Sequence, residues 1–168
     1  INRNPMSLVA SFVLDCFDMA FELVRQGRIH GIVYAPINKG AVARTGLVEF
    51  CDPATGSMDE MSLFVSRIGD GSLYGELNVV DGLWTVRVTS HVPFGEVVRH
   101  LTVDGIVAVV RLLHMSLKST GMEHPRIAVA ALNPHAGEGG LCGGEEIEII
   151  GPAVEAARSE GMDAAGPF

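Results

Sequence analysis

The stretch "RIAVAALNPHAGEGG", from Arg126 to Gly140, places a histidine where an apolar run ends in a glycine-rich loop. The run "RIAVAAL" is short and almost entirely apolar, which predicts a fully buried strand. Loops at the carboxyl ends of sheet strands are where α/β proteins bind ligands. His135 is therefore a candidate metal ligand, although a histidine at a strand end also occurs as a purely structural residue.

The segments around this stretch alternate between helical and strand patterns. Apolar spacing predicts a helix over 8–25 with Gly27 as its C-cap, then a strand over 29–37. A helix near 58–65, a hairpin turning at Asp81 and Gly82, and a long helix ending near Gly121 follow. After the strand from Arg126, "GGEEIEIIGPAVEAARSEG" predicts a helix interrupted by a kink at Gly151 and Pro152. The expected fold class is α/β, with a mixed sheet flanked by helices.

Composition excludes several kinds of protein. The chain has 168 residues, 48% of them hydrophobic, and a net charge of −8 without a Lys/Arg cluster. This predicts one folded α/β unit over 1–168 that binds neither nucleic acid nor membrane. Three scattered cysteines argue against a disulfide framework, so we expect a reducing cytoplasm. The first residue is not Met and the last ones are "GPF", so both ends look cut from a longer protein.

A second histidine occupies the same kind of position as His135. In "VTSHVPF", His91 follows an apolar run and stands before Pro93. Imidazole nitrogens bind divalent ions when a second acceptor orients the ring. Two ligands are too few for a site, so the pattern leaves a metal site and two structural histidines both open. The other four histidines are interpreted as ordinary solvated residues: His30, His100, His114 and His124.

The glycine-rich segment "GEGGLCGGEE" precedes a predicted helix. Its free N–H groups can receive an anion, or the segment is simply a flexible linker. Glu145 and Glu146 suit the positive end of the helix dipole and need no functional role. Lys39, just after the predicted strand, is a candidate contact for a phosphate or carboxylate, although an exposed turn lysine is commoner.

Three motifs together resemble the 4-hydroxythreonine-4-phosphate dehydrogenase family of the vitamin B6 pathway. They are "APINKGAV", "SHVPF" and the long pattern "LNPHAGEGG" followed by "GGEEIEIIGPAVEAARSEGM" and "GP". The resemblance covers the chain from about Leu8, and family members are longer at both ends. It implies that the chain is the central part of a two-domain dehydrogenase with an isocitrate/isopropylmalate dehydrogenase-like fold, which forms a homodimer with its site at the subunit boundary.

The resemblance also implies the chemistry. Family members oxidise a secondary alcohol of a phosphorylated hydroxy acid with NAD or NADP and then release CO2, using a divalent metal such as Zn, Mg, Mn or Co. The family holds its metal with three histidines. Two match His91 and His135, and the third belongs to a His-Asp-Gln-Gly motif expected after Phe168.

One departure from the family concerns the substrate. The family usually has Thr-Gly-His-Thr-Glu, whose His and Thr contact the substrate, whereas this chain reads "TGSMDEM" with Ser57 and Met58 at those places. We therefore expect a related hydroxy acid, such as another four-carbon sugar-acid phosphate or a cyclic diol carboxylate. The alternatives are a repurposed, non-catalytic member that only binds a ligand, and a metal-dependent hydrolase or isomerase without nicotinamide.

Overall fold

A computed structural model of the chain describes residues 5–43, 60–69 and 71–168. The chain forms two compact units, Ile1–Ser72 and Leu73–Phe168. The α/β class is confirmed. That the chain acts as a single α/β unit of a longer dehydrogenase stays a prediction.

The first unit consists of helices α1 (Pro5–Arg25), α2 (Lys39–Ala43) and α3 (Glu60–Ile68). The predicted first helix is confirmed, and Gly27 ends it with φ +65° as the N–H of Arg28 reaches Leu23 O at 3.0 Å. The core is formed by apolar residues of the three helices, in which the rings of Phe17, Phe21 and Phe64 pack with centroids 5.2 to 5.8 Å apart.

The structure of this unit differs from two of the predictions. The helix expected near 58–65 forms as α3, shifted toward the C-terminus. The strand predicted over 29–37 is wrong, because residues 31–38 have no regular secondary structure. A strand needs a ladder partner, and no described segment of this unit pairs with it.

The second unit begins with the predicted hairpin. Strands β1 (Leu77–Val80) and β2 (Leu83–Val86) pair antiparallel, with Val80 opposite Leu83. Asp81 and Gly82 both have positive φ, 46° and 82°, as a type I′ turn requires. The hairpin is followed by a short 3₁₀ helix, Phe94–His100.

The core of this unit lies between helices α4 (Val103–Ser119) and α5 (Gly151–Ser159). Thr102 caps α4 by accepting the N–H of Gly105 at 3.0 Å. The buried side chains of α4 recur at helical spacing: Ile106, Val107, Val110, Leu113 and Leu117. The long helix that the sequence predicted is therefore confirmed.

The strand predicted from Arg126 is also confirmed. Strand β3 (Arg126–Ala128) pairs in parallel with β4 (Asp163–Ala165), and the ladder continues as Val129 N–H donates to Ala165 O at 2.8 Å. The described strands lie in two separate two-stranded sheets, β1–β2 and β3–β4. One is antiparallel and one parallel, so both strand orientations of the expected mixed sheet are present.

The predicted interruption at Gly151 and Pro152 takes the form of a π-turn. Residues Glu146–Ile150 are π-helical and lead into α5 without a break. The N–H of Gly151 donates to Glu146 O, one residue further back than in an α-helix. The wider turn lets the chain remain helical through Pro152, whose ring would clash with the carbonyl oxygen four residues earlier.

Among the residues that the structure describes, no single helix is long and apolar enough to cross a bilayer. The 3₁₀ helix Phe94–His100 and α4 meet that test only as a pair, and they are bent by 92°.

Candidate functional site

The loop after β2 carries the first candidate ligand. His91 is exposed and has φ 57°, a conformation that few residues other than glycine adopt, although Asn, Asp and His adopt it more often than the rest. The chain then reaches Pro93 and the 3₁₀ helix. The unusual backbone turns the histidine away from the extended path of the strand.

The loop after β3 carries the second candidate ligand, and more of its residues have positive φ than in the loop after β2. Six consecutive residues, 135–140, have positive φ between 47° and 98°. Three of them are not glycine: His135, Ala136 and Glu138. Each such residue costs about 1–2 kcal/mol relative to the right-handed conformation, so neighbouring contacts must hold the loop in place.

The buried carboxylate of Glu146 supplies those contacts. Its Oε1 accepts the backbone N–H of Leu132 at 2.9 Å and that of Asn133 at 2.7 Å. Its Oε2 accepts the Asn133 side-chain amide at 2.9 Å, and Glu145 accepts the same amide at 2.7 Å. Glu146 is only 4% exposed. The start of the histidine loop is thereby fixed to the helix that follows it.

The electrostatics agree with this role. The hydrogen bond from the Asn133 side chain is the main reason that the pKa of Glu146 lies below its usual 4.5. The backbone N–H groups of Asn133 and Leu132 lower it further, whereas burial raises it. The carboxylate is therefore charged at neutral pH, and charged acceptors form the stronger hydrogen bonds.

The interpretation of Glu146 as a helix-dipole residue alone is therefore wrong. A sequence signal existed: Glu146 stands four residues before the buried Ile150 and seven before the buried Ala153, on the apolar face of a helical pattern. A charged residue on such a face is rarely buried unless it is paired.

The segment "GEGGLCGGEE" is also not a flexible linker. A Cβ on Gly137 would lie 2.7 Å from Glu146 Oε2, and one on Gly143 would clash with Asn133 Nδ2. These glycines allow the loop to approach the side chains of Glu146 and Asn133 closely. We call the carboxylate of Glu146 and its hydrogen bonds to Leu132 and Asn133 the clamp. An anion at this helix start would meet the acidic side chains there, so the carboxylates rather than a ligand complement the helix dipole.

One cavity links the two histidine loops. It has a volume of about 700 Å³ and lies within the second unit, bordered by β2, β3 and α4. Thr89 and Leu132, which stand two and three residues before the histidines, both line it. The strands that lead to His91 and His135 thus border the same space.

The two histidines alone do not complete a metal site. Both are exposed, and no group of three His, Cys, Asp or Glu side chains among the described residues could hold an ion. Imidazole nitrogens suit zinc or a similar ion, provided that further donors come from elsewhere. The prediction that His114 is an ordinary solvated residue is wrong, because its Nδ1 is buried without a hydrogen-bond partner among the described residues.

The remaining predicted contacts belong to the first unit. Lys39 begins α2, and its Nζ lies 2.7 Å from Glu60 Oε2, with 40% of the lysine side chain exposed. Ser57 and Met58 lie outside the described residues. Lys39 therefore has a protein partner, and its role toward a ligand stays a prediction.

Comparisons with known proteins agree with the resemblance. The family model described as pyridoxal phosphate biosynthetic protein PdxA matches residues 4–168. A protein of Beijerinckia indica named 4-hydroxythreonine-4-phosphate dehydrogenase is 40% identical over 154 residues, which are 92% of this chain and 43% of that protein. A D-threonate 4-phosphate dehydrogenase of Pectobacterium atrosepticum is 35% identical over 152 residues, 90% of this chain and 44% of its own.

Solved structures agree with the fold. The crystal structure of 4-hydroxythreonine-4-phosphate dehydrogenase from Klebsiella pneumoniae superposes with a TM-score of 0.80 at 30% identity, covering 96% of this chain and 46% of the other. Such dehydrogenases have the isocitrate/isopropylmalate dehydrogenase-like fold, which confirms the predicted class. The chain spans less than half the length of these relatives. The match over residues 4–168 shows that the chain belongs to the PdxA family of pyridoxal phosphate biosynthetic proteins.

Proposed function

We propose that the complete protein is a dehydrogenase that depends on NAD or NADP and on a divalent metal, and that it acts on a phosphorylated hydroxy acid. The substrate's secondary alcohol loses a hydride to the nicotinamide and a proton from its oxygen, and the resulting β-keto acid then releases CO2. The names of the Beijerinckia and Pectobacterium relatives support this, since both describe dehydrogenases of phosphorylated hydroxy acids.

The main support for the proposal is that the strands leading into both histidine loops border one cavity. Thr89 and Leu132 line the same space, and the histidines that follow them have the same rare positive φ. Backbone strain of this kind concentrates at functional sites because the surrounding structure must maintain it.

In this proposal His91 and His135 each give one imidazole nitrogen to the metal. A further donor must come from beyond the described residues, either from the rest of the chain or from a partner subunit in a homodimer. The bound ion would stabilise negative charge on the substrate's alcohol oxygen and later on its ketone oxygen.

Glu146 is a positioning residue in this arrangement. It touches neither histidine in the contacts described, yet it holds the backbone at Leu132 and Asn133, three and two residues before His135. A loop of left-handed residues without such a clamp would sample other conformations. A ligand that is displaced by even one ångström weakens catalysis strongly, which gives the clamp its importance.

Lys39, Ser57 and Met58 are the proposed substrate contacts. Lys39 would bind the phosphate or carboxylate as a point charge, exchanging its ion pair with Glu60 for the ligand. Ser57 and Met58 replace the usual His and Thr of the family, so we propose a four-carbon sugar-acid phosphate as substrate. The name of the D-threonate 4-phosphate dehydrogenase from Pectobacterium supports that substrate class.

The hydride acceptor is NAD or NADP. We place the enzyme in the cytoplasm, in agreement with the free thiols of Cys16 and Cys142.

The test uses full-length protein, a divalent metal, NAD or NADP, and a panel containing 4-phosphohydroxythreonine and D-threonate 4-phosphate. Formation of reduced nicotinamide is followed by absorbance. We expect metal-dependent reduction that falls by about 100-fold or more in His91→Ala and in His135→Ala. His100→Ala, which removes another exposed histidine of the same unit, is the matched control and should retain activity.

Two outcomes would replace this proposal. Metal binding that depends on both histidines, without nicotinamide reduction for any acid, would favour the ligand-binding or repurposed alternative. Metal-dependent turnover of a substrate without nicotinamide would favour the hydrolase or isomerase alternative.

A further inference from the structure

The turn of the β1–β2 hairpin is an Asp-Gly pair, Asp81 and Gly82. In such a pair the backbone nitrogen of the glycine can attack the carboxyl group of the aspartate, because glycine has no side chain to hinder the approach. The chain contains two further Asp-Gly pairs, at residues 70–71 and 104–105. Asp70 lies outside the described residues, whereas Asp81 and Asp104 are both described and exposed.

The two described pairs have almost the same local sequence. Asp81 lies in Val-Asp-Gly-Leu, residues 80–83, and Asp104 lies in Val-Asp-Gly-Ile, residues 103–106. In an unfolded chain the two aspartates should therefore react at similar rates, because the neighbouring side chains are nearly identical. A large difference between them in the native protein must come from the folded structure.

The hairpin leaves the first pair free to react. Asp81 and Gly82 are exposed and lie beyond the last pair of the ladder, Val80 and Leu83. Among the described residues, the Gly82 N–H donates to no backbone carbonyl. Nothing lies within 4 Å of the position that a Cβ of Gly82 would take. The pair can therefore rotate into the geometry for attack when only the end of the hairpin opens.

The second pair is held in the first turn of helix α4. The Gly105 N–H donates to Thr102 Oγ1 at 3.0 Å, and the Ile106 N–H donates to Thr102 O at 3.0 Å. Attack on the Asp104 carboxyl group requires a rotation of the backbone between Asp104 and Gly105, away from the helical conformation. That rotation breaks the cap, so the reaction must wait until the start of the helix unfolds.

We propose that Asp81 is a site of spontaneous isoaspartate formation in the native protein, and that the fold protects Asp104 from the same reaction. The Gly82 nitrogen bonds to Asp81 Cγ, and the carboxyl hydroxyl leaves with the amide hydrogen as water, which gives a cyclic succinimide. Water then adds to one of the two ring carbonyls and breaks its bond to nitrogen. Opening on one side restores aspartate, and opening on the other side joins Gly82 to the side-chain carbon of residue 81. This proposal does not depend on the dehydrogenase activity.

The modification changes the length of the turn. Isoaspartate adds one carbon atom to the backbone of a turn that contains only two residues. Because a two-residue turn sets the register of its strands, the longer turn should disturb the pairing of β1 with β2. Leu77, Trp84 and Val86 of these strands pack against the core of the second unit. Isoaspartate at residue 81 should therefore loosen the hairpin from that core.

The first test measures the uptake of oxygen-18. Full-length protein is incubated at neutral pH in water enriched in oxygen-18, since each opening of the ring leaves one heavy oxygen atom in the product. Digestion with trypsin and Glu-C then yields peptides 77–87 and 100–111, which contain one Asp-Gly pair each. In the native protein we expect uptake in 77–87 to be about tenfold faster or more than in 100–111.

Protein unfolded in denaturant is the matched control, in which the two peptides should take up the label at similar rates. Similar rates in the native protein would overturn the proposal, as would faster uptake in 100–111 or uptake at Asp81 only after unfolding. In Asp81→Asn, which keeps a residue suited to the turn, uptake in 77–87 should rise while uptake in 100–111 is unchanged. The reason is that an uncharged amide accepts the nitrogen more readily than a carboxylate.

The second test measures the consequence for the hairpin. The isoaspartate form is separated from aged full-length protein by chromatography, and hydrogen exchange is compared with that of fresh protein. We expect the amides of β1 and β2 to exchange about tenfold faster or more in the isoaspartate form, while those of α4 keep their protection. Unchanged exchange in β1 and β2 would overturn the proposed effect on the hairpin.

Discussion

Glu146 holds Asn133 at two points: one carboxylate oxygen accepts the Asn133 backbone N–H at 2.7 Å, and the other accepts its side-chain amide at 2.9 Å. Asn133 stands two residues before His135, the first left-handed residue of the loop. A bond to the backbone and a bond to the side chain together fix both the position and the rotation of this residue. The geometry of the candidate ligand therefore depends on a carboxylate eleven residues later.

Glu146→Gln should destabilise the protein although it keeps the shape of the side chain. The new amide group would face the Asn133 amide, donor against donor, in a buried place. We expect a loss of about 1–3 kcal/mol in the free energy of unfolding, measured by chemical denaturation. Glu148→Gln, an exposed change in the same helix, should leave stability nearly unchanged. Equal effects of the two substitutions would refute the clamp.

The same carboxylate predicts a pH dependence. The native pKa of Glu146 lies below its usual 4.5, so its contribution to stability is complete well above that pH and is lost as the pH falls through the native value. Unfolding measured at a series of pH values below 5 should show a shallower loss of stability in Glu146→Gln than in the unsubstituted protein. An unchanged slope would mean that other groups control the acid transition.

Gly137→Ala should be more harmful than Gly139→Ala, even though both glycines have left-handed φ values, 76° and 67°. Each substitution should lower the free energy of unfolding by about 1–2 kcal/mol, because alanine disfavours a left-handed φ. Only the Cβ at Gly137 meets Glu146 Oε2, at 2.7 Å, whereas nothing lies within 4 Å of the Cβ at Gly139. The difference between the two unfolding free energies isolates the steric contact. If Gly139→Ala were equally harmful, conformation alone would explain both.

His135→Asn should separate ligand binding from folding. Asparagine tolerates positive φ better than most residues, and His135 is exposed, so stability should change by about 0.5 kcal/mol or less. If His135 is a metal ligand, affinity for Zn²⁺ in titration calorimetry of the full-length protein should fall by about tenfold or more. Unchanged affinity would remove His135 from the metal site.

Lys39→Met should distinguish a substrate contact from a surface ion pair. Breaking the exposed pair with Glu60 should cost about 1 kcal/mol or less in stability. If the lysine binds the substrate's phosphate, KM should rise by about tenfold while the unfolding transition barely moves. An unchanged KM would show that Lys39 does not contact the substrate and only forms the ion pair with Glu60.

Local patterns predicted much of this protein. The spacing of apolar residues identified α1 and α4, because a helix must place its buried side chains at regular intervals. Asp81 and Gly82 identified the hairpin, because few residues adopt the positive φ values of its turn. His91 and His135 were identified as a pair because each follows an apolar strand.

Other features depend on contacts between distant segments. The predicted strand over 29–37 did not form, since β structure requires a partner that a single segment cannot supply. The sequence pattern predicts a solvated His114, yet its Nδ1 is buried, because burial depends on what packs against α4.

The main helices, the hairpin and the strand-end positions of the two histidines follow from the sequence, because spacing and backbone preference within a few residues specify them. The tertiary structure alone decided that Glu146 is a buried clamp, and that β2 and β3 border one cavity. Burial and hydrogen bonding arise only when residues far apart in the chain meet. A carboxylate is stable when it is exposed at a helix end, and it is also stable beneath a loop when it is hydrogen-bonded there. Only its neighbours in the folded structure decide between the two.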